Sequence, residues 1–99
     1  MTSRSDPITR NNVTIRGSGE RTMMFAHGFG CDQAMWEPVA RQFEDQFRVV
    51  LFDHVGAGRS DLAAYDSAKY AKLDGYAQDI AEIGQALKLE NAIFVGHSV

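Results

Sequence analysis

The chain is poor in cysteine and proline. Its 99 residues include one cysteine, Cys31, and two prolines. A lone thiol cannot form an internal disulfide, so a disulfide-stabilised scaffold is excluded and a reducing, cytoplasmic location is expected. We interpret Cys31 as a small buried side chain rather than as a reactive thiol at a helix start.

Long apolar runs and a strong charge imbalance are also missing. No apolar stretch approaches the ~18 residues of a membrane-spanning helix, and residues 1–12 lack the apolar segment of a secretory signal. Ten basic residues against 13 acidic ones give a net charge of −3, which favours neither nucleic acid nor an anionic membrane as a partner. The three histidines have no metal-ligand spacing, so we expect no metal and no cofactor.

Short strands are predicted wherever apolar residues alternate or run together. These stretches are residues 12–16, 22–26, 48–52 and 93–95. Residues 1–11 are interpreted as a flexible lead-in and residues 12–99 as one domain, with no internal repeat.

Two helices are predicted between the strands. The first follows the N-cap candidate Asp32, holds Pro38 in its first turn, and has an apolar face that extends to Phe43. The second covers residues 73–87, where apolar side chains recur at i, i+3, i+4 and i+7. Strands that alternate with helices predict an α/β fold, a mostly parallel sheet flanked by helices.

Glycine-bearing loops follow three of the strands, at residues 27–30, 53–60 and 96–99. The carboxyl ends of parallel strands meet at one edge of the sheet, where open α/β sheets place their sites. We therefore expect a functional site at this edge.

Ser98 is the candidate catalytic nucleophile. Gly96-His97-Ser98 follows an apolar strand and begins a G-x-S-x-G pattern, in which a sharp turn presents the serine hydroxyl. Attack on an acyl carbon creates an oxyanion, which needs two amide donors. We assign them to Val99, the residue after the nucleophile, and to Phe29. The alternatives are a surface-turn serine at 98 and a plain β–α turn at 27–30.

The loop that contains Asp53, Gly56, Gly58 and Ser60 has two interpretations. It could bind phosphate, but it lacks a third glycine and a Lys-Ser or Lys-Thr pair. We favour a structural role, in which the glycines permit a tight turn and the two polar side chains bind loop amides.

No histidine of this chain is assigned as the base for the serine. His97 is its neighbour, and adjacent side chains diverge on a sharp turn, so we expect a packed or hydrogen-bonded support. His27 and His54 lie in loops near the site, and nothing in the sequence assigns either as base. In the expected order the acid and the histidine follow the serine, which puts both beyond Val99. Trp36, Tyr65 and Tyr70 are interpreted as packing residues.

Residues 12–99 resemble the N-terminal part of the α/β-hydrolase superfamily, truncated at the nucleophile elbow. The resemblance rests on residues 25–33, 51–58, 73–76 and 94–99. It looks like the RsbQ-like subfamily, which includes a bacterial stress-response regulator and, more distantly, the plant karrikin and strigolactone receptors. This implies that Ser98 is the nucleophile and that the amides of Phe29 and Val99 form the oxyanion hole. The family's catalytic Asp, catalytic His and helical lid have no counterpart in these residues.

The resemblance implies two alternative functions. One is a serine hydrolase of a small apolar ester or lactone, in which a His beyond this chain takes the Ser98 proton and an Asp orients that His. The 99-residue chain alone would then be inactive. The other is a signalling regulator that binds or slowly hydrolyses a small hydrophobic ligand and engages a partner such as a PAS-domain phosphatase in sigma factor regulation. Serine at position 98 argues against dehalogenases and epoxide hydrolases, which use a carboxylate nucleophile.

Overall fold

The computed structural model describes residues 6–97 and contains a four-stranded mixed sheet. The strands are β1 (Thr14–Arg16), β2 (Thr22–Ala26), β3 (Arg48–Phe52) and β4 (Ile93–Gly96). Their order in the sheet is β1-β3-β2-β4. Strand β2 runs parallel to β3 and to β4, and β1 pairs antiparallel with β3. The predicted α/β fold, a mostly parallel sheet flanked by helices, is confirmed.

Within residues 6–97, three α-helices lie between these strands or before them: α1 (Pro7–Arg10), α2 (Glu37–Ala40) and α3 (Leu73–Ala86). Single 3₁₀ turns occur at Gln33–Trp36, Leu62–Ala64 and Lys69–Ala71. No helix between residues 6 and 97 is both long and apolar enough to cross a membrane.

Alternate residues of the central strands point to opposite faces of the sheet, and each face has its own cover. One face packs under α2 and the segment around it, with Phe25 and Leu51 at its centre. The other packs under α3, where Ile83 is fully buried against Val50 and Phe52. Strands β2 and β3 are therefore apolar throughout, as parallel strands covered on both sides must be.

The first predicted helix is shorter than expected. Asp32 is its N-cap, with Oδ1 accepting from Ala34 N at 2.9 Å, and Pro38 falls in the first turn of α2. The continuous helix predicted up to Phe43 is wrong, because Gln42 N and Phe43 N donate to carbonyls three residues back instead of the four that would extend α2. The segment divides instead into a 3₁₀ turn, one α-helical turn, and further turns up to residue 47.

The N-terminal segment differs from the lead-in expected at residues 1–11. Asp6 caps α1 by accepting from the amides of Ile8 and Thr9. At the other end of α1 the side chains of Arg10 and Asn11 are buried. Residues 6–11 thus pack against the body of the protein, while residues 1–5 lie outside the described part.

Candidate functional site

A cavity of about 1010 Å³ opens at the carboxyl ends of β2 and β3. Its walls come from the loop after β2, the loop after β3, and the chain that leads into α3. Apolar and aromatic side chains predominate among the residues that line it, including Phe29, Met35, Val55, Tyr70, Leu73 and Tyr76. The cavity therefore suits a small, largely apolar molecule.

The loop after β2 holds the Phe29 amide, the predicted oxyanion donor. The loop turns at Gly30, whose φ of +82° is in the left-handed region, and Cys31 N donates to Gly28 O at 3.1 Å. Gly28 N donates to Met35 Sδ at 3.4 Å. Among the described residues, Phe29 N donates to no protein acceptor. This amide is thus available to an external oxygen.

The other two predicted site residues, Ser98 and Val99, lie outside the described residues. The chain is described up to His97, and β4 is the parallel neighbour of β2. Ala26 is paired with Gly96, and His97 N donates to Ala26 O at 3.2 Å. His97 and the loop after β2 therefore lie at the same edge of the sheet.

His27 and His54 form a buried pair with defined tautomers. His54 N donates to His27 Nε2 at 2.9 Å, so the proton of the His27 ring is assigned to Nδ1, which lies 2.9 Å from Gly28 O. His54 Nε2 lies 3.2 Å from His27 O and is its donor. Burial, together with the neighbouring His27, lowers the pKa of His54 and keeps it neutral. Both nitrogens of His27 are engaged, so the ring is a structural support.

Asp53 is the centre of the loop after β3. Its carboxylate accepts from Asn12 Nδ2 at 2.9 Å, Gln33 N at 2.8 Å and Arg59 N at 3.0 Å. Burial acts to raise the pKa of Asp53, but these hydrogen bonds to the charged form outweigh it and the pKa is lowered. The carboxylate therefore stays ionised and joins three separate segments.

The glycines and the serine of this loop also stabilise the turn around Asp53. Gly58 has φ +52°, and a Cβ there would lie 2.5 Å from Asp53 Oδ2. Ser60 Oγ accepts from Gly56 N at 3.0 Å. A buried anion at the centre of the loop would repel a phosphate, so the structural interpretation is confirmed.

Two further predictions have opposite outcomes. The prediction that Cys31 is buried is wrong: the thiol is exposed, because the turn at Gly30 places it on the cavity-lining loop. Trp36 packs as predicted, with its ring centroid 5.0 Å from that of Phe25. His97 is exposed. Its ring lies edge-on to the Trp36 ring on the α2 side of the sheet, with 6.5 Å between the two ring centroids.

Sequence reasoning missed a buried charged cluster beside the cavity. Asp79 on α3 is 1% exposed and accepts from Tyr70 OH at 2.7 Å and from Lys69 Nζ at 2.8 Å. Arg10 of α1 pairs with Asp79 at 3.2 Å and with Glu82 at 2.6 Å. A signal was present, since an acidic residue interrupts the apolar face of the second predicted helix. Among residues 6–97, no cluster of three or more His, Cys, Asp or Glu could hold a metal.

Comparison with known proteins gives consistent matches. A family model described as the alpha/beta hydrolase fold matches residues 21–99. A karrikin insensitive 2 receptor of Petunia hybrida is 43% identical over 90% of this chain, and a strigolactone esterase of Arabidopsis thaliana is 41% identical over 89%. The solved structure of a hydrolase from Oleispira antarctica is 49% identical over 93% of this chain, with a TM-score of 0.90. The chain covers only 33%, 33% and 34% of these proteins, respectively.

Proposed function

Because the chain belongs to the α/β-hydrolase fold family, we propose that it forms the nucleophile-bearing part of a serine hydrolase. The substrate class is a small apolar ester or lactone. The supporting observation is the Phe29 amide, which donates to no acceptor within residues 6–97 and lies on the loop after β2, the strand that pairs with β4; after β4 the sequence continues as His97-Ser98-Val99. A nucleophile on one of two adjacent strands and an oxyanion donor on the other can meet at a single acyl carbon.

In this mechanism Ser98 Oγ attacks the acyl carbon, and its carbonyl oxygen becomes an oxyanion. The amides of Phe29 and Val99 donate to that oxygen. The base is a histidine outside this chain, since His27 is committed to loop bonds and the His97 ring lies beside Trp36. An Asp, also outside the chain, orients that base. The 99-residue chain alone is accordingly inactive.

Ester turnover by the full-length protein, the complete reading frame that contains residues 1–99, tests this function. With 4-nitrophenyl acetate, Ser98→Ala should lower kcat by about a thousandfold or more. Phe29→Pro, which removes the amide hydrogen, should lower kcat by about a hundredfold. Phe29→Ala keeps the amide and is the matched control. Undiminished turnover in Ser98→Ala would refute the mechanism.

A second candidate function is that of a cytoplasmic signalling regulator. It is supported by the similarity to a protein named as a karrikin receptor and by the apolar cavity. In this RsbQ-like alternative the cavity binds or slowly hydrolyses a hydrophobic ligand, and the occupied protein engages a stress-response phosphatase with a PAS domain. Turnover separates the two functions: a hydrolase clears its ester over many cycles, whereas a regulator turns its ligand over slowly or not at all.

A further inference from the structure

One wall of the cavity is a continuous row of aromatic rings. Tyr65 and Tyr70 stack with centroids 5.6 Å apart and planes inclined by 19°, and Tyr70 lies 4.8 Å from Tyr76. Tyr76 meets His54 edge-on at 5.5 Å, and His54 meets His27 at 4.5 Å. All five residues line the cavity. We refer to Tyr65, Tyr70 and Tyr76 as the tyrosine wall.

Exposure differs along the tyrosine wall. Tyr65 is 52% exposed and Tyr76 is half-buried, whereas Tyr70, between them, is 6% exposed. A molecule in the cavity would therefore touch the rings of Tyr65 and Tyr76. Tyr70 contacts both of these rings and sets their spacing and tilt.

The middle ring, that of Tyr70, is held by a hydrogen bond from its hydroxyl to a buried carboxylate. Tyr70 OH donates to Asp79 Oδ2 at 2.7 Å, while Asp79 Oδ1 lies 2.8 Å from Lys69 Nζ and 3.2 Å from an Arg10 nitrogen. A hydrogen bond to a buried carboxylate is short and strong. Because the hydroxyl is held in this bond, Tyr70 has one orientation and presents its apolar ring to its neighbours.

We propose that the tyrosine wall is a subsite for a flat aromatic ring. Tyr65 and Tyr76 are its specificity-determining residues, and Tyr70, held by Asp79, is a positioning residue. This inference rests on the proposed hydrolysis of an ester, and it adds the class of ring that the ester substrate carries. Aromatic faces attract the edges of another aromatic ring, which a saturated ring of similar size cannot match. We expect a preference of about three- to tenfold.

Binding of two uncleavable probes to the full-length protein tests the subsite independently of catalysis. 2-Phenylacetamide and 2-cyclohexylacetamide have the same heavy-atom skeleton and differ only in ring saturation. Isothermal titration should give the lower Kd for the phenyl probe. In Tyr65→Leu, at an exposed position that tolerates change, the two Kd values should converge. Equal Kd values in the unaltered protein, or no binding of either probe, would overturn the proposal.

Separate variants test the positioning role of Tyr70. Tyr70→Phe keeps the ring but loses the anchor, so the Kd ratio should fall toward one. Asp79→Asn keeps an acceptor for the hydroxyl and should retain most of the ratio, and Asp74→Asn on the exposed side of α3 is its control. An unchanged ratio in Tyr70→Phe would overturn this role; if that variant does not fold, Tyr65→Leu decides. Ser98→Ala should abolish turnover and leave the ratio unchanged, so failure of the subsite is distinguishable from failure of the proposed function.

Discussion

At the scale of single residues, Asp53 shows how one side chain can organise a loop. Its carboxylate joins Asn12, Gln33 and Arg59, and its backbone carbonyl accepts from Asn11 Nδ2 at 2.9 Å. The sequence predicted that Asp53 binds loop amides, because an aspartate before a glycine-rich turn commonly does so. Its bond to Asn12, 41 residues earlier, has no local pattern and could not be predicted.

Gly58 provides a stability test of this loop. Gly58→Ala should lower the free energy of unfolding by about 1–3 kcal/mol, because its φ is positive and the new Cβ would contact the Asp53 carboxylate. Gly84→Ala is the control: its helical site is open, and alanine should stabilise it by about 0.5–1 kcal/mol. Urea unfolding of the full-length protein measures both. Equal effects of the two changes would contradict the role of Gly58.

His54 provides a pH test. Burial lowers its pKa below 6.5 in the folded protein, so the unfolded state binds a proton first as the pH falls. The stability that His54 contributes is complete above pH 6.5 and is lost progressively as the pH falls through its folded pKa. The unaltered protein should therefore lose more free energy of unfolding between pH 7.5 and pH 5.5 than His54→Gln does. A direct NMR titration of the His54 ring with a midpoint above 6.5 would contradict this.

At the scale of secondary-structure elements, prediction succeeded where the pattern was local. Strands β2 and β3 have the predicted bounds, because each is a run of apolar residues that ends at a loop. The predicted helix at residues 73–87 is α3, at Leu73–Ala86. The helix around residue 38 was predicted too long, because its apolar spacing does not distinguish an α-helix from the i→i−3 turns that follow Ala40.

Helix α1 was missed, although Asp6 followed by Pro7 is a recognisable helix start. The packing of α1 depends on contacts with residues that are distant in sequence. Arg10 pairs with Asp79 and Glu82 across about 70 residues, and Asp61 N donates to Arg10 O at 2.8 Å. The pattern of the first twelve residues, which are mostly polar, carries no information about such distant partners.

The packing of α1 can be tested at Arg10. Its side chain is 4% exposed between two carboxylates, so Arg10→Ala should lower the free energy of unfolding by about 1–3 kcal/mol, because Glu82 loses its partner charge and Asp79 keeps only Lys69. Arg41→Ala, at an exposed arginine, should change it by less than about 0.5 kcal/mol. Chemical unfolding of the full-length variants provides the comparison. A small effect at Arg10 would mean that residues 6–11 are a dispensable lead-in.

At the scale of the whole molecule, the architecture was predictable but the order of the strands in the sheet was not. A mostly parallel sheet flanked by helices follows from strands that alternate with helices, whereas the order β1-β3-β2-β4 depends on which strands pair. Within residues 6–97, β4 pairs with β2 alone, and Phe94 on β4 is 50% exposed. A sheet edge of this kind leaves backbone groups and apolar surface uncovered.

The isolated 99-residue chain should therefore fold poorly. We expect circular dichroism to show a gradual thermal change without a cooperative transition, because the surface of β4 is not buried. The full-length protein is the control and should unfold cooperatively. A sharp transition of the isolated chain, at the same temperature in both, would show that residues 1–99 form an autonomous domain.

We propose that Ser98 is the acyl-accepting nucleophile, and covalent mapping tests this claim most directly. The full-length protein is treated with a serine-directed fluorophosphonate, digested, and analysed by mass spectrometry. We predict one adduct, on the peptide that contains Ser98, and none in the Ser98→Ala variant. An adduct at a different residue, or equal labelling of the variant, would contradict the claim.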